Sequence, residues 1–137
     1  MLIDPFNRRI SYLRISVTDH CNYRCSYCRD EDHSNKTERR EILSFEEIAK
    51  IVRIFSQLGV SKIRLTGGEP LLRKGLLELV KMLGEIENIT DIPISTNAHL
   101  LSPLAKKLQA AGINRANISL DSLDATKFAA ITRGGNL

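Results

Sequence analysis

The sequence predicts an α/β fold, a partial (β/α) barrel of about four β–α units with parallel strands. Three observations lead there. Short runs of branched and apolar residues alternate with stretches of helical periodicity, and no linker or low-complexity tract interrupts them. At 137 residues the chain is one domain, long enough to bury a proper core. The strands alternate polar with apolar residues instead of reading as continuous apolar runs, so one face packs on helices and the other is polar. A polar face carrying arginines is accounted for when it lines a ligand cavity, as in an open barrel. The alternative is a sheet with one solvated face.

Taken in order, Tyr12 to Thr18 is the first strand, with Arg14, Ser16 and Thr18 set against Leu13, Ile15 and Val17. A loop with the cysteines follows, then a polar stretch from Asp30 to Arg40 that reads as a mobile loop. Ser44 starts a helix and forms a capping box with Glu47. Ile48, Ile51, Val52, Phe55 and Leu58 make its apolar stripe, and Gly59 ends it. Lys62 to Thr66 is the second strand, with Arg64 and Thr66 opposite Ile63 and Leu65. A helix covers about Lys74 to Ile86, and Ile92 to Thr96 is the third strand, with Ser95 on its polar side. Ser102 as N-cap and Pro103 at the first helical position open the next helix, which Gly112 closes. Ala116 to Leu120 is the fourth strand, placing Asn117, Ser119 and Asp121 against Ile118 and Leu120. A helix from about Asp124 to Ile131 completes the pattern, whose crossovers are expected to be right-handed.

Composition narrows the function classes. A net charge of +4 suits a small anionic ligand, while 5% aromatic residues and the lack of a basic block argue against nucleic acid as a partner. No apolar run approaches the roughly 18 residues that span a bilayer. The first residues lack the apolar stretch of a signal peptide, so a cytoplasmic location is expected and a membrane partner is not. An odd number of closely packed cysteines argues for a reducing compartment and against disulfides.

Those cysteines, Cys21, Cys25 and Cys28, have the spacing C-x3-C-x2-C. Three thiolates can ligate a metal centre and leave one coordination position open, which is where metal chemistry happens. The residues leave three readings open here: an iron–sulfur cluster, a zinc ion completed by His20 or His33, or free thiols. The second strand runs into Gly67-Gly68-Glu69-Pro70, at the strand end where β/α folds bind ligands. Paired glycines allow a backbone to approach a ligand closely, and Glu69 offers an acceptor suited to a ligand ammonium group. Alone that loop is a weak signal; behind the cysteine motif it is a strong one.

Together these segments resemble the radical S-adenosylmethionine superfamily and, within it, the GTP 3′,8-cyclase family, lyases that start molybdenum cofactor biosynthesis. The resemblance covers nearly the whole chain: Tyr12 to Asp19 ahead of the cysteines, Arg64 to Arg73, Ser95-Thr96-Asn97, and Asn117 to Asp124. It implies that Cys21, Cys25 and Cys28 hold three irons of a [4Fe-4S] cluster and that S-adenosylmethionine chelates the fourth. An electron donor would reduce the cluster, and the resulting 5′-deoxyadenosyl radical would abstract the 3′ hydrogen of GTP, whose ribose radical then attacks C8. It further implies that Tyr27, Gly68 and Ser119 contact S-adenosylmethionine, with Glu69 near its amino group, and that Arg14, Arg64 and Ser95 contact GTP. Arginine suits a triphosphate because its fork matches phosphate oxygens. No side chain is implied as catalytic.

Two departures stand against the family pattern. Asn97-Ala98 replaces the usual Asn-Gly. The family's chain is also more than twice as long, with a six-unit core and a second, C-terminal cluster whose cysteines do not occur here. The expectation is that residues 1–137 are the N-terminal part of a radical S-adenosylmethionine core domain, a truncated form inactive alone. The alternatives are a related enzyme with a different substrate and a non-catalytic metal-binding fragment.

Overall fold

The computed structural model describes residues 1–28 and 42–137; the polar stretch from Asp30 to Arg40, with His33, lies outside them. The chain opens with a hairpin that the sequence pattern does not announce, β1 (Leu2–Ile3) paired antiparallel with β2 (Arg9–Ile10). Asp4 closes its turn by accepting from the Phe6 and Arg8 amides. The main sheet then runs in strict sequence order: β3 (Tyr12–Ser16), β4 (Lys62–Thr66), β5 (Pro93–Thr96) and β6 (Arg115–Ile118), all parallel. The helices α1 (Phe45–Gln57), α2 (Leu76–Gly84) and α3 (Leu101–Ala111) connect successive strands, with α2 packed between the other two. A last helix, α4 (Ala125–Thr132), follows β6. Among the described residues no helix is long and apolar enough to cross a membrane.

The alternation in the strands has the expected consequence. Ile63, Leu65 and Ile94 are fully buried beneath Ile48, Val52, Leu79, Val80 and Leu83 from the helices. Removing such side chains from water is worth roughly 1.5–3 kcal/mol each, which fixes which face of the sheet turns inward. The opposite face is polar, and register lines it up: Arg14 lies beside Arg64, Ser16 beside Thr66, and Ser95 beside Asn117.

Several boundaries differ from the sequence reading. The capping box is present, with the Ser44 hydroxyl accepting from the Glu47 amide and the Glu47 carboxylate from the Ser44 amide. Gly59, at φ +99°, follows the end of α1. The buried side of α1 includes Ala49 and Ser56, while Leu58 is left exposed. α2 begins at Leu76 because Gly75 takes a left-handed conformation, φ +79°. α3 starts at Leu101, so Ser102 does not cap it and Pro103 falls inside the first turn, where the missing amide has no intrahelical acceptor to lose. The strands expected to reach Thr18 and Leu120 end at Ser16 and Ile118.

β6 is the exposed edge. Its Ile118 is 56% exposed although it lies on the apolar side of the sheet. The reason is where α4 goes: its buried Phe128 meets Tyr23 edge-on at 6.0 Å, so the helix packs on the cysteine loop and leaves β6 uncovered.

Candidate metal and cofactor site

The cysteine loop leaves the end of β3 and is held from three sides. Gly68 N–H donates to the Thr18 carbonyl at 2.8 Å and Glu69 N–H to the His20 carbonyl at 2.7 Å, which ties it to the loop after β4. Arg24 N–H donates to the Thr132 carbonyl and Ser26 N–H to that of Ile131, both at 2.9 Å, which ties it to the end of α4. Asn97 Nδ2 donates to Asn22 Oδ1 at 2.8 Å, which ties it to the loop after β5. The thiols are unpaired; Cys21 and Cys25 are half-buried and Cys28 is exposed. They line a recess of about 290 Å³ together with Ser16, Thr18, Asp19, Tyr23, Gly67 and Gly68. That is near the lower end of the roughly 300–1,000 Å³ common for ligand sites. A larger hollow of about 690 Å³ lies beyond His20, walled by Phe45, Leu72 and Arg73, but no cysteine lines it and it borders the undescribed stretch at Ile42.

The glycine pair is built for close approach, and within the chain what it approaches is backbone. A Cβ at Gly68 would lie 2.8 Å from the Asp19 carbonyl oxygen and nearer still to that of His20. Glu69 is engaged within the chain. Its side chain is 1% exposed and does not line the recess. Oε1 accepts from Leu71 N–H at 3.0 Å and from the Thr96 hydroxyl at 2.8 Å, and Oε2 accepts from Asn97 N–H at 2.8 Å. The carboxylate is buried because three donors satisfy it, and it binds the loop after β4 to the end of β5.

The other predicted residues spread along the same end and face of the sheet. Tyr27 stands outside the recess, its O–H donating to the Asp121 carboxylate at 3.0 and 3.2 Å. That hydrogen bond, with burial, raises the phenol well above its ordinary pKa, so Tyr27 keeps its proton. Ser119 is exposed, its amide extending the ladder to the Thr96 carbonyl at 2.9 Å. Arg14 and Arg64 neighbour one another across β3 and β4, with Arg14 two residues along the strand from Ser16, which lines the recess. Neither has an acidic partner among the described residues. The Arg64 guanidinium lies 5.4 Å from the Tyr12 ring centre, and its Nε is buried with no hydrogen-bond acceptor among the described residues. Ser95 is half-buried on the same face.

The residues present fit a cluster better than a single ion. Among the described residues no three His, Cys, Asp or Glu side chains gather closely enough to hold one metal ion. His20 instead points toward Asp19, 3.8 Å away. A cluster spreads its thiolates over three irons and asks only for three free thiols around a recess. Cys21 Sγ already accepts the Tyr23 amide at 3.4 Å. Burial pushes the Cys25 thiol up. Binding of iron by Cys25 would displace that proton, so assembly would strengthen as pH rises. Sequence reasoning assigned no role to Asn22, Thr96, Asn97 or Asp121. For Thr96 a signal existed: the alternation places a hydroxyl on the apolar side of β5, where it must find a partner.

The fold and the site define a class. The sequence profile of the radical SAM superfamily matches residues 15–137, and the chain belongs to that superfamily. Within it, the similarity runs to GTP 3′,8-cyclases: 53% identity over 99% of this chain with that of Hydrogenovibrio crunogenus, and 56% over 96% with that of Thermodesulfovibrio yellowstonii. The chain spans 41% of the length of each of these curated relatives. Among solved structures, Streptococcus suis SuiB bound to its precursor peptide SuiA aligns over 90% of this chain and 27% of its own, with a TM-score of 0.73 and 22% identity. BtrN in complex with AdoMet and 2-DOIA aligns over 90% of this chain and 51% of its own, with a TM-score of 0.61 and 22% identity. At that identity the structures establish the fold.

Proposed function

We propose that the chain carries the cluster and S-adenosylmethionine site of a GTP 3′,8-cyclase, as the N-terminal part of that enzyme's core. The observation that carries the reading is geometric. Three free thiols ring a recess at the end of the sheet, and two adjacent arginines, without acidic partners among the described residues, continue the same polar face away from it. The 53% and 56% identity to enzymes of that name supports the choice of GTP. Cys21, Cys25 and Cys28 would hold the [4Fe-4S] cluster. When bound, the cluster supplies the electron that cleaves S-adenosylmethionine.

The chain's own residues bind and orient. Gly67 and Gly68 keep the wall of the recess free of side chains, so that loop backbone meets the methionine end of S-adenosylmethionine. Glu69 serves that end by fixing the loop. Tyr27, held as a donor on Asp121, and Ser119 on the same β6 loop flank the nucleoside side. Arg14 and Arg64 offer a pair of forks to the triphosphate, and Ser95 adds a hydroxyl on the same face.

Anaerobic reconstitution with iron and sulfide tests the reading. About four irons per chain are expected, and Cys→Ala at position 21, 25 or 28 should abolish stable assembly. Adding S-adenosylmethionine should change the paramagnetic spectrum of the reduced cluster. Arg14→Ala or Arg64→Ala should weaken GTP binding roughly tenfold while leaving that spectrum intact. Retention of stoichiometric zinc with no cluster would overturn the proposal.

A further inference from the structure

We infer that Asn97 is a positioning residue for the cysteine loop, acting through Asn22; the inference rests on the reading of that loop as the cluster site and names what holds it in place. Three segments form a closed ring of hydrogen bonds. Glu69 N–H donates to the His20 carbonyl at 2.7 Å, one residue before Cys21. Asn97 Nδ2 donates to Asn22 Oδ1 at 2.8 Å, one residue after it. Asn97 N–H donates to Glu69 Oε2 at 2.8 Å and closes the ring. Cys21 is therefore bracketed by two bonds that both lead to Glu69, one to its backbone amide and one, through Asn97, to its buried carboxylate.

The orientation of the Asn97 amide is not arbitrary. Its Oδ1 accepts from His99 N–H at 3.1 Å, which turns Nδ2 toward Asn22. Its backbone is anchored on a carboxylate that is 1% exposed and that also takes the Thr96 hydroxyl and the Leu71 amide. Asn97 thus hydrogen-bonds from the loop after β5 into the C-x3-C interval, beside the edge-on contact of His99 with Tyr23 at 6.1 Å. Its side chain does not line the recess, so it acts by fixing Asn22 and, with it, Cys21.

A mutant cycle tests this in the metal-free chain and again after reconstitution. Alkylation of Cys21 is followed by peptide mass spectrometry in the wild type, Asn22→Ala, Asn97→Ala and the double variant. If the contact fixes the loop, each single variant exposes Cys21 and speeds its alkylation on the order of tenfold, and the double variant adds nothing further. Asn97→Asp should restore the wild-type rate, because its oxygens still take His99 N–H and the Asn22 amide can turn to donate. Global unfolding midpoints, measured alongside, separate loosening of the loop from loss of the fold. Unchanged Cys21 rates, or multiplicative effects in the double variant, would overturn the inference. After reconstitution the same variants should lose cluster to a chelator faster, and Asn97→Asp should not. A wild-type chain that takes up no cluster would sink the functional proposal, while the alkylation rates would still decide the role of Asn97.

Discussion

Ala98 occupies a backbone position that favours glycine. Its φ is +64°, the left-handed region, where a Cβ costs roughly 1–2 kcal/mol. The Asn97-Ala98 departure from the family pattern therefore has an energetic meaning. Ala98→Gly is expected to stabilise the chain by about 1 kcal/mol or somewhat less, since glycine also frees the unfolded state. A higher urea midpoint at unchanged slope would show it. Glu69 offers the opposite case. Glu69→Gln would place an amide N–H₂ against one of three donors, and a loss of roughly 1–3 kcal/mol is expected from the same measurement. Residues of this kind divide by legibility. The cysteines and glycines were readable because short spacing and paired glycines limit what a segment can do. Asn22, Thr96 and Asp121 act through partners 75, 27 and 94 positions away, and no local pattern encodes that pairing.

Among the elements, those with a strong local code were legible and those without one were not. α1 announced itself through Ser44 and Glu47, and both bonds of the capping box are present. Ser44→Ala should cost about 1 kcal/mol, seen as a lower unfolding midpoint and reduced helical ellipticity. Ser102 gives the contrasting test. It sits inside the first turn of α3 and caps nothing, so Ser102→Ala should stay within about 0.5 kcal/mol of the parent. The hairpin of β1 and β2 escaped prediction because two-residue strands have no period to read. The short 3₁₀ turn at Pro70–Leu72 escaped for a related reason: it is set by Glu69, which caps it from a carboxylate fixed by β5.

At the scale of the molecule, the parallel strands and the polar face followed from the alternation of elements and residues, whereas the destination of α4 did not. Phe128 of α4 meets Tyr23 of the cysteine loop. That placement leaves Ile118 exposed, on a strand that lies at one edge of the sheet among the described residues. The bonds from Arg24 and Ser26 to the carbonyls of Thr132 and Ile131 carry one more consequence, in time. Cys21 is synthesised more than a hundred residues before Thr132. At roughly 5–20 residues per second, the nascent thiols wait on the order of 5–20 s for the helix that braces them. Iron delivered to the emerging chain in that interval meets a slack loop, so loading of this site belongs after translation of α4, and a ribosome stalled short of Ala125 would present three reactive thiols with no shaped site.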